Sequence, residues 1–138
     1  MEKVGLSQEQ IDSVISLLSI GKFQDALEKT AILDLKYPGE SLLSNISGAC
    51  YQGLGQFEMA VECYEKAITI NPSYYKAYYN LGGILQDLGK LNASIECFEK
   101  ALSIKPDYAD ANNNIGNVFK ELGQFDNAIK SFEKTIEV

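Results

Sequence analysis

Apolar residues recur along this chain with the period of a helix face. Tyr78, Leu81, Gly82, Leu85 and Leu88 fall at i, i+3, i+4, i+7 and i+10, on one side of a helix. After Gly89 the phase restarts, and Leu91, Ser94, Ile95, Phe98, Ala101 and Leu102 fall at i, i+3, i+4, i+7, i+10 and i+11, describing a second helix. Asn92, and Asp126 one repeat later, sit where that helix is expected to start, with side-chain oxygens able to accept from its free N–H groups. Pro106 ends it, because the ring removes a donor and disfavours helical geometry in the preceding residue. The pattern predicts a helical hairpin.

The same punctuation returns at a fixed interval. Pro38, Pro72 and Pro106 are 34 residues apart, and Gly21, Gly55, Gly89 and Gly123 form a second ladder of that step. Apolar columns run between the ladders: Ile20, Leu54, Leu88 and Leu122; Phe23, Phe57, Leu91 and Phe125; Leu27, Val61, Ile95 and Ile129. A small-residue column, Ala26, Ala60, Ser94 and Ala128, accompanies them. Gly48, Gly82 and Gly116 form another, inside the first helix of each hairpin. A glycine there costs about 1 kcal/mol relative to alanine, so three in register imply close approach of another element. A lone hairpin of this size cannot bury its apolar faces, and consecutive hairpins are expected to stack. The divisions are a tail at 1–6, hairpins at 7–40, 41–74 and 75–108, and an incomplete fourth at 109–138.

Tyr78-x-x-Leu81-Gly82-x-x-Leu85, then Ser94-x-x-x-Phe98, then Pro106 resembles the tetratricopeptide repeat pattern. Ser47-Gly48-x-x-Tyr51, Ala60-x-x-x-Tyr64 and Pro72 repeat it upstream, and Ile115-Gly116-x-x-Phe119 with Ala128-x-x-x-Phe132 repeats it downstream. Ser7 to Glu40 is a weaker copy that keeps Leu17, Gly21, Ala26 and Pro38 but carries Ser13-Val14 and Thr30 at the Leu-Gly and aromatic slots. It reads as a capping-type repeat. The resemblance implies an all-α fold, a right-handed superhelical solenoid of stacked antiparallel helix pairs, with the first helix of each pair lining a concave surface.

Charge and composition narrow the function. Nineteen acidic residues against 12 Lys+Arg leave a net charge of −7, which argues against nucleic acid and anionic membrane surfaces as partners. With no histidine, the usual imidazole base and every His-containing metal site are excluded. Cys50, Cys63 and Cys97 have no Cys-x-x-Cys spacing and read as reduced, packed thiols. No cofactor or metal is expected. Neither a signal segment nor a spanning run is visible, so a cytoplasmic location is expected and the Asn-x-Ser triplets at Asn45 and Asn92 carry no weight. Gly83 and Gly89-Lys90-Leu91 miss the phosphate-loop spacing, and Gly53-Leu54-Gly55 joins two helices where a dinucleotide fingerprint needs a strand before its helix.

The concave groove implied by the resemblance is the expected binding site for a protein or peptide segment. Its candidates are Asn45 and Gln52; Lys76, Tyr79, Asn80, Gly83 and Gln86; and Asp110, Asn113, Asn114, Asn117 and Lys120, a set rich in amides that both donate to and accept from a peptide backbone. Asn80 and Asn114 occupy equivalent positions and resemble the inner-face asparagines of O-linked N-acetylglucosamine transferases, which hold an extended peptide by its main chain; the ladder stops at Ile46. The carboxylate clamp for chaperone C-termini, also found among these repeats, fits poorly: Asn45 and Asn80 match its amides, but Ala49 replaces another, and Asp110 and Asn114 stand where its cations belong. Of Tyr74, Tyr75, Tyr78 and Tyr79, only Tyr79 is expected to face the groove, with Tyr74 and Tyr108 in inter-repeat turns. The expected function is a non-catalytic interaction scaffold, the alternative being an N-terminal targeting module of a larger enzyme such as a glycosyltransferase or sulfotransferase. Ala128, Ile129, Phe132, Ile136 and Val138 on the final helix are expected to be covered either by a following helix or by a second copy in a twofold dimer.

Overall fold

The computed structural model describes residues 5–136. Among them the chain forms eight helices and no strand: α1 (Gln8–Ser19), α2 (Phe23–Lys36), α3 (Ser41–Gly53), α4 (Phe57–Ile70), α5 (Tyr75–Asp87), α6 (Leu91–Ile104), α7 (Ala109–Glu121) and α8 (Phe125–Ile136). They group into two compact units, Met1–Pro72 and Ser73–Val138, each holding two antiparallel hairpins. Helices α2, α4 and α6 each stop two residues before Pro38, Pro72 and Pro106, as the proline column requires. The reversal between α3 and α4 needs Gly55 at φ +75°, a left-handed conformation that a side chain would strain. Gly55 N–H then donates to the Gln52 carbonyl at 3.1 Å and Gln56 N–H to that of Tyr51 at 2.9 Å.

The starts of the second helices differ from expectation. Helix α6 begins at Leu91 and is preceded by Lys90, which gives no side-chain cap, so Asn92 is the second helical residue. Asp126 likewise lies in the first turn of α8. Leu91 must itself be helical to turn its side chain into the core, which moves the boundary ahead of the asparagine. Asp126 still favours the helix through the positive N-terminal end of its dipole. A true capping box occurs at α1, where Gln10 N–H donates to Ser7 Oγ at 3.1 Å and Ser7 N–H to Gln10 Oε1 at 2.9 Å.

Each of the last three hairpins is locked by a glycine on its first helix and an aromatic ring on its second. A Cβ built on Gly48 would stand 2.5 Å from Tyr64, one on Gly82 2.9 Å from Phe98, and one on Gly116 2.6 Å from Phe132. The glycine column exists because the ring occupies the space a methyl group would take. Ser94 departs from its alanine column at no cost, since its buried hydroxyl donates to the Gly82 carbonyl at 2.8 Å. In the first unit, Val14, Ala26, Leu33, Leu43, Ile46 and Cys50 form the core; in the second, Phe98, Ala111, Ile115 and Val118 do. Burial first, and then Cys63, push the Cys50 thiol up to about 11, so it stays protonated and packs as a small apolar group.

The final helix is less open than its sequence suggests. Ala128 is buried and the Phe132 ring lies over Gly116, while Val138 falls outside the described residues. Phe125, Ile129 and Ile136 remain exposed, at 61, 54 and 81%. Leu91 and Ile95, the counterparts of Phe125 and Ile129 one repeat earlier, are covered by the core that α7 contributes.

Candidate functional site

In the second unit, α5 and α7 lie side by side and are tied by two hydrogen bonds. Asn114 Nδ2 donates to the Tyr79 hydroxyl at 3.1 Å, and Gln86 Nε2 donates to Glu121 Oε1 at 2.9 Å. Both pairs are 35 residues apart in sequence, one repeat plus one residue, so the two bonds are successive rungs of one parallel register. They are separated by seven residues on each helix, about two turns, which returns the side chains to the same face. Between the rungs stands Gly83, where an added Cβ would meet nothing within 4 Å. The result is an open step on the helix face, with the exposed amides Asn113 and Asn117 on the neighbouring helix.

An aromatic cluster closes the N-terminal end of this face. The Tyr79 ring lies 5.0 Å from Tyr108 and 5.8 Å from Phe98, and Tyr75 meets Tyr108 edge to face at 5.3 Å. Lys105 Nζ sits 5.5 Å from the centre of the Tyr75 ring, within cation–π range. Burial, then Tyr79, Asp110 and Tyr75, push the Tyr108 hydroxyl up to about 12, and burial with Asp110 raises Tyr79, opposed by the bond from Asn114. Both phenols are therefore neutral hydrogen-bonding groups throughout the physiological range.

The structure sorts the candidate residues by how committed they are. Lys76, Asp110, Asn113, Asn117 and Lys120 are exposed. Asn45, Gln52, Tyr79, Asn80, Gln86 and Asn114 are half-buried. Asn114 and Gln86 spend one donor each on the rungs, and in the first unit Gln52 Oε1 accepts from Tyr64 Oη at 2.9 Å. Asn45 and Gln52 belong to α3, in the other unit from the α5 and α7 residues. Tyr79 is built into the face through its ring and offers a polar edge. Glu121 carries no signal at a step of 34 because side chains on α5 and α7 meet one residue out of step, and Tyr108, expected only as a turn residue, joins the face through its ring contacts with Tyr75 and Tyr79. Gly53, the first residue of the dinucleotide-like string, ends α3 against the Phe23 ring, a packing role.

Comparison with known proteins agrees with this architecture. The profile described as TPR repeat matches residues 49–89 and 84–123, and the tetratricopeptide repeat profile matches 109–138. Among solved structures, one of MamA is 30% identical with a TM-score of 0.79, covering 90% of this chain and 77% of that one. MamA from Desulfovibrio magneticus RS-1 is similar in fold, with a TM-score of 0.82 at 23% identity over 93% of this chain and 72% of the other. The second TPR domain of human RPAP3, solved in complex with the HSP70 peptide SGPTIEEVD, has a TM-score of 0.73 at 25% identity, covering 79% of this chain and 91% of that domain. No curated protein matches in sequence. The repeat length, the glycine–aromatic locks, the two profiles and the fold together place this chain in the tetratricopeptide repeat family.

Proposed function

We propose that this protein is a non-catalytic interaction scaffold that holds an extended segment of a partner protein along the face formed by α5 and α7 in its second unit. The observation that carries this reading is the open step at Gly83 between the Tyr79–Asn114 and Gln86–Glu121 rungs. The rungs fix the spacing of the two helices, and the exposed carboxamides of Asn113 and Asn117 offer donors and acceptors to a main chain lying along the step. The RPAP3 domain holds a peptide with an acidic end. Here Asp110 is exposed on the same face and the chain carries a net charge of −7, so the segment that fits is neutral or basic.

The test uses peptides selected against the protein from a random display library. Replacing Gly83 by Arg fills the step without touching the core, because no neighbour stands within 4 Å. It should abolish binding of the selected peptides while leaving the melting temperature unchanged or raised, since Arg is the better helix former by roughly 0.5–1 kcal/mol. Replacing Asn113 and Asn117 together by Ala should weaken binding about 5- to 150-fold, at about 0.5–1.5 kcal/mol per hydrogen bond lost. Selected peptides that bind Gly83→Arg as well as wild type would remove the α5/α7 surface from the proposal.

The exposed Phe125, Ile129 and Ile136 favour a second contact, self-association through α8 as a twofold dimer. Sedimentation should show mass rising with concentration for the wild type and a monomer for Ile129→Glu. That site is chosen over Phe132, whose ring is needed against Gly116. A wild type that stays monomeric to high micromolar concentration rules the dimer out.

A further inference from the structure

The second unit contains another recess, built from residues that the α5/α7 face does not use. It is an open cleft of about 410 Å³ with walls from α6 and α8 and a floor from α7. Asn112, Ile115 and Phe119 form the floor and Leu102 part of the α6 wall, while Glu99 on α6 and Lys134 on α8 supply one charge of each sign. At about 100° per residue, Asn112, Ile115 and Phe119 lie on the opposite side of α7 from Asp110, Asn113 and Asn117.

Asn112 is the unusual member. It is only 3% exposed, and among the described residues its carboxamide has no hydrogen-bond partner. No fully buried side-chain polar atom of the described residues lacks a partner, so the carboxamide keeps its remaining exposure, and the space it borders is this cleft. The equivalent position one repeat earlier is Tyr78, the bulky stacking slot of that hairpin. The second repeat carries the small Ser44 there, and the fourth carries a short amide that borders open space. The amide leaves its hydrogen-bonding capacity to the cleft, beside the apolar faces of Leu102, Ile115 and Phe119, so the recess favours an occupant that answers both.

We infer that this cleft is a socket for a tyrosine side chain presented by a partner protein. A phenol brings a flat apolar body for Leu102, Ile115 and Phe119 and one hydroxyl that both donates and accepts, as the Asn112 carboxamide does. The opposite charges of Glu99 and Lys134 cancel at the opening, which suits a neutral group and penalises a charged tip. The volume lies at the small end of the roughly 300–1,000 Å³ that ligand clefts occupy, and an open mouth admits a side chain still attached to its main chain.

The experiment is a titration of isotope-labelled protein with N-acetyl-tyrosinamide, followed by amide and side-chain resonances, with N-acetyl-phenylalaninamide as the control lacking the hydroxyl. Saturable shifts are expected at the Asn112 side-chain NH₂, Ile115 and Lys134, with the tyrosine derivative binding about 2- to 12-fold more tightly, the worth of one hydrogen bond. Asn112→Tyr, which restores the residue type of the third repeat, should abolish the shifts and raise the melting temperature. Asn112→Leu should retain binding of both ligands and erase the preference. Equal affinity for the two ligands in the wild type, shifts confined to the Tyr79 and Asn114 face, or shifts that persist in Asn112→Tyr would each overturn the socket. Should neither variant fold, the wild-type comparison of the two ligands decides.

Discussion

Phe98→Ala should lower the unfolding free energy by about 3–5 kcal/mol, measured by urea denaturation followed through the helical circular dichroism signal. Phe98 is fully buried, in one core with Ala111, Ile115 and Val118, and its ring fills the space that Gly82 leaves on the facing helix. It also supports the binding face, because Tyr79 packs on it at 5.8 Å. Truncation therefore removes the lock of the third hairpin, the support of the next helix and a wall of the tyrosine cluster together. Phe98→Leu, which keeps most of the volume, should cost markedly less. A loss below about 1 kcal/mol for the alanine variant would mean that the packing face is misassigned.

Exchange of the first hairpin's lock should give the second large effect. Val14 and Thr30 occupy the positions that hold glycine and an aromatic ring in the other three hairpins, and both are fully buried. The first repeat has reversed the arrangement: the large residue moved to the first helix and the small one to the second, with the Thr30 hydroxyl satisfied by the Ala26 carbonyl at 2.7 Å. Thr30→Phe alone should overpack the site and cost about 1–3 kcal/mol or more. Val14→Gly alone should lose about 2–4 kcal/mol from the vacated volume and the mid-helix glycine. Combined, they recreate the lock of the other repeats, and the double variant should be more stable than the sum of the single losses predicts by about 1–3 kcal/mol. Strict additivity in the denaturation cycle would show that the two positions do not share one space.

The exchange accounts for the two atypical slots of the first repeat. Ser13-Val14 and Thr30 look like departures when each column is read separately, because the column of the first helix and that of the second carry no sign of each other. Only the folded hairpin shows that both positions are fully buried, so that each residue must fit its surroundings. The same limit explains Phe132 and Ala128, which read as an uncovered apolar stripe until Gly116 is seen beneath the ring. It also explains Asn112, whose amide looks like one more polar residue in Asn112-Asn113-Asn114. The helical phase turns Asn112 inward, exposes Asn113 and carries Asn114 to Tyr79.

By itself the sequence determined the all-α class, the 34-residue period, the hairpin breaks and the helix faces that are buried. These depend on local chemistry: a proline removes a donor, a glycine reaches positive φ, and a 3.6-residue period gathers apolar groups on one side. Tertiary structure decided where each helix begins, which ring answers which glycine, and that α5 meets α7 at a step of 35 residues. It also decided which candidate amides are spent on their neighbours and which still face outward. Those outcomes depend on the offset and spacing between helices, which are set by the summed shapes of many side chains and are written at no single position of the chain.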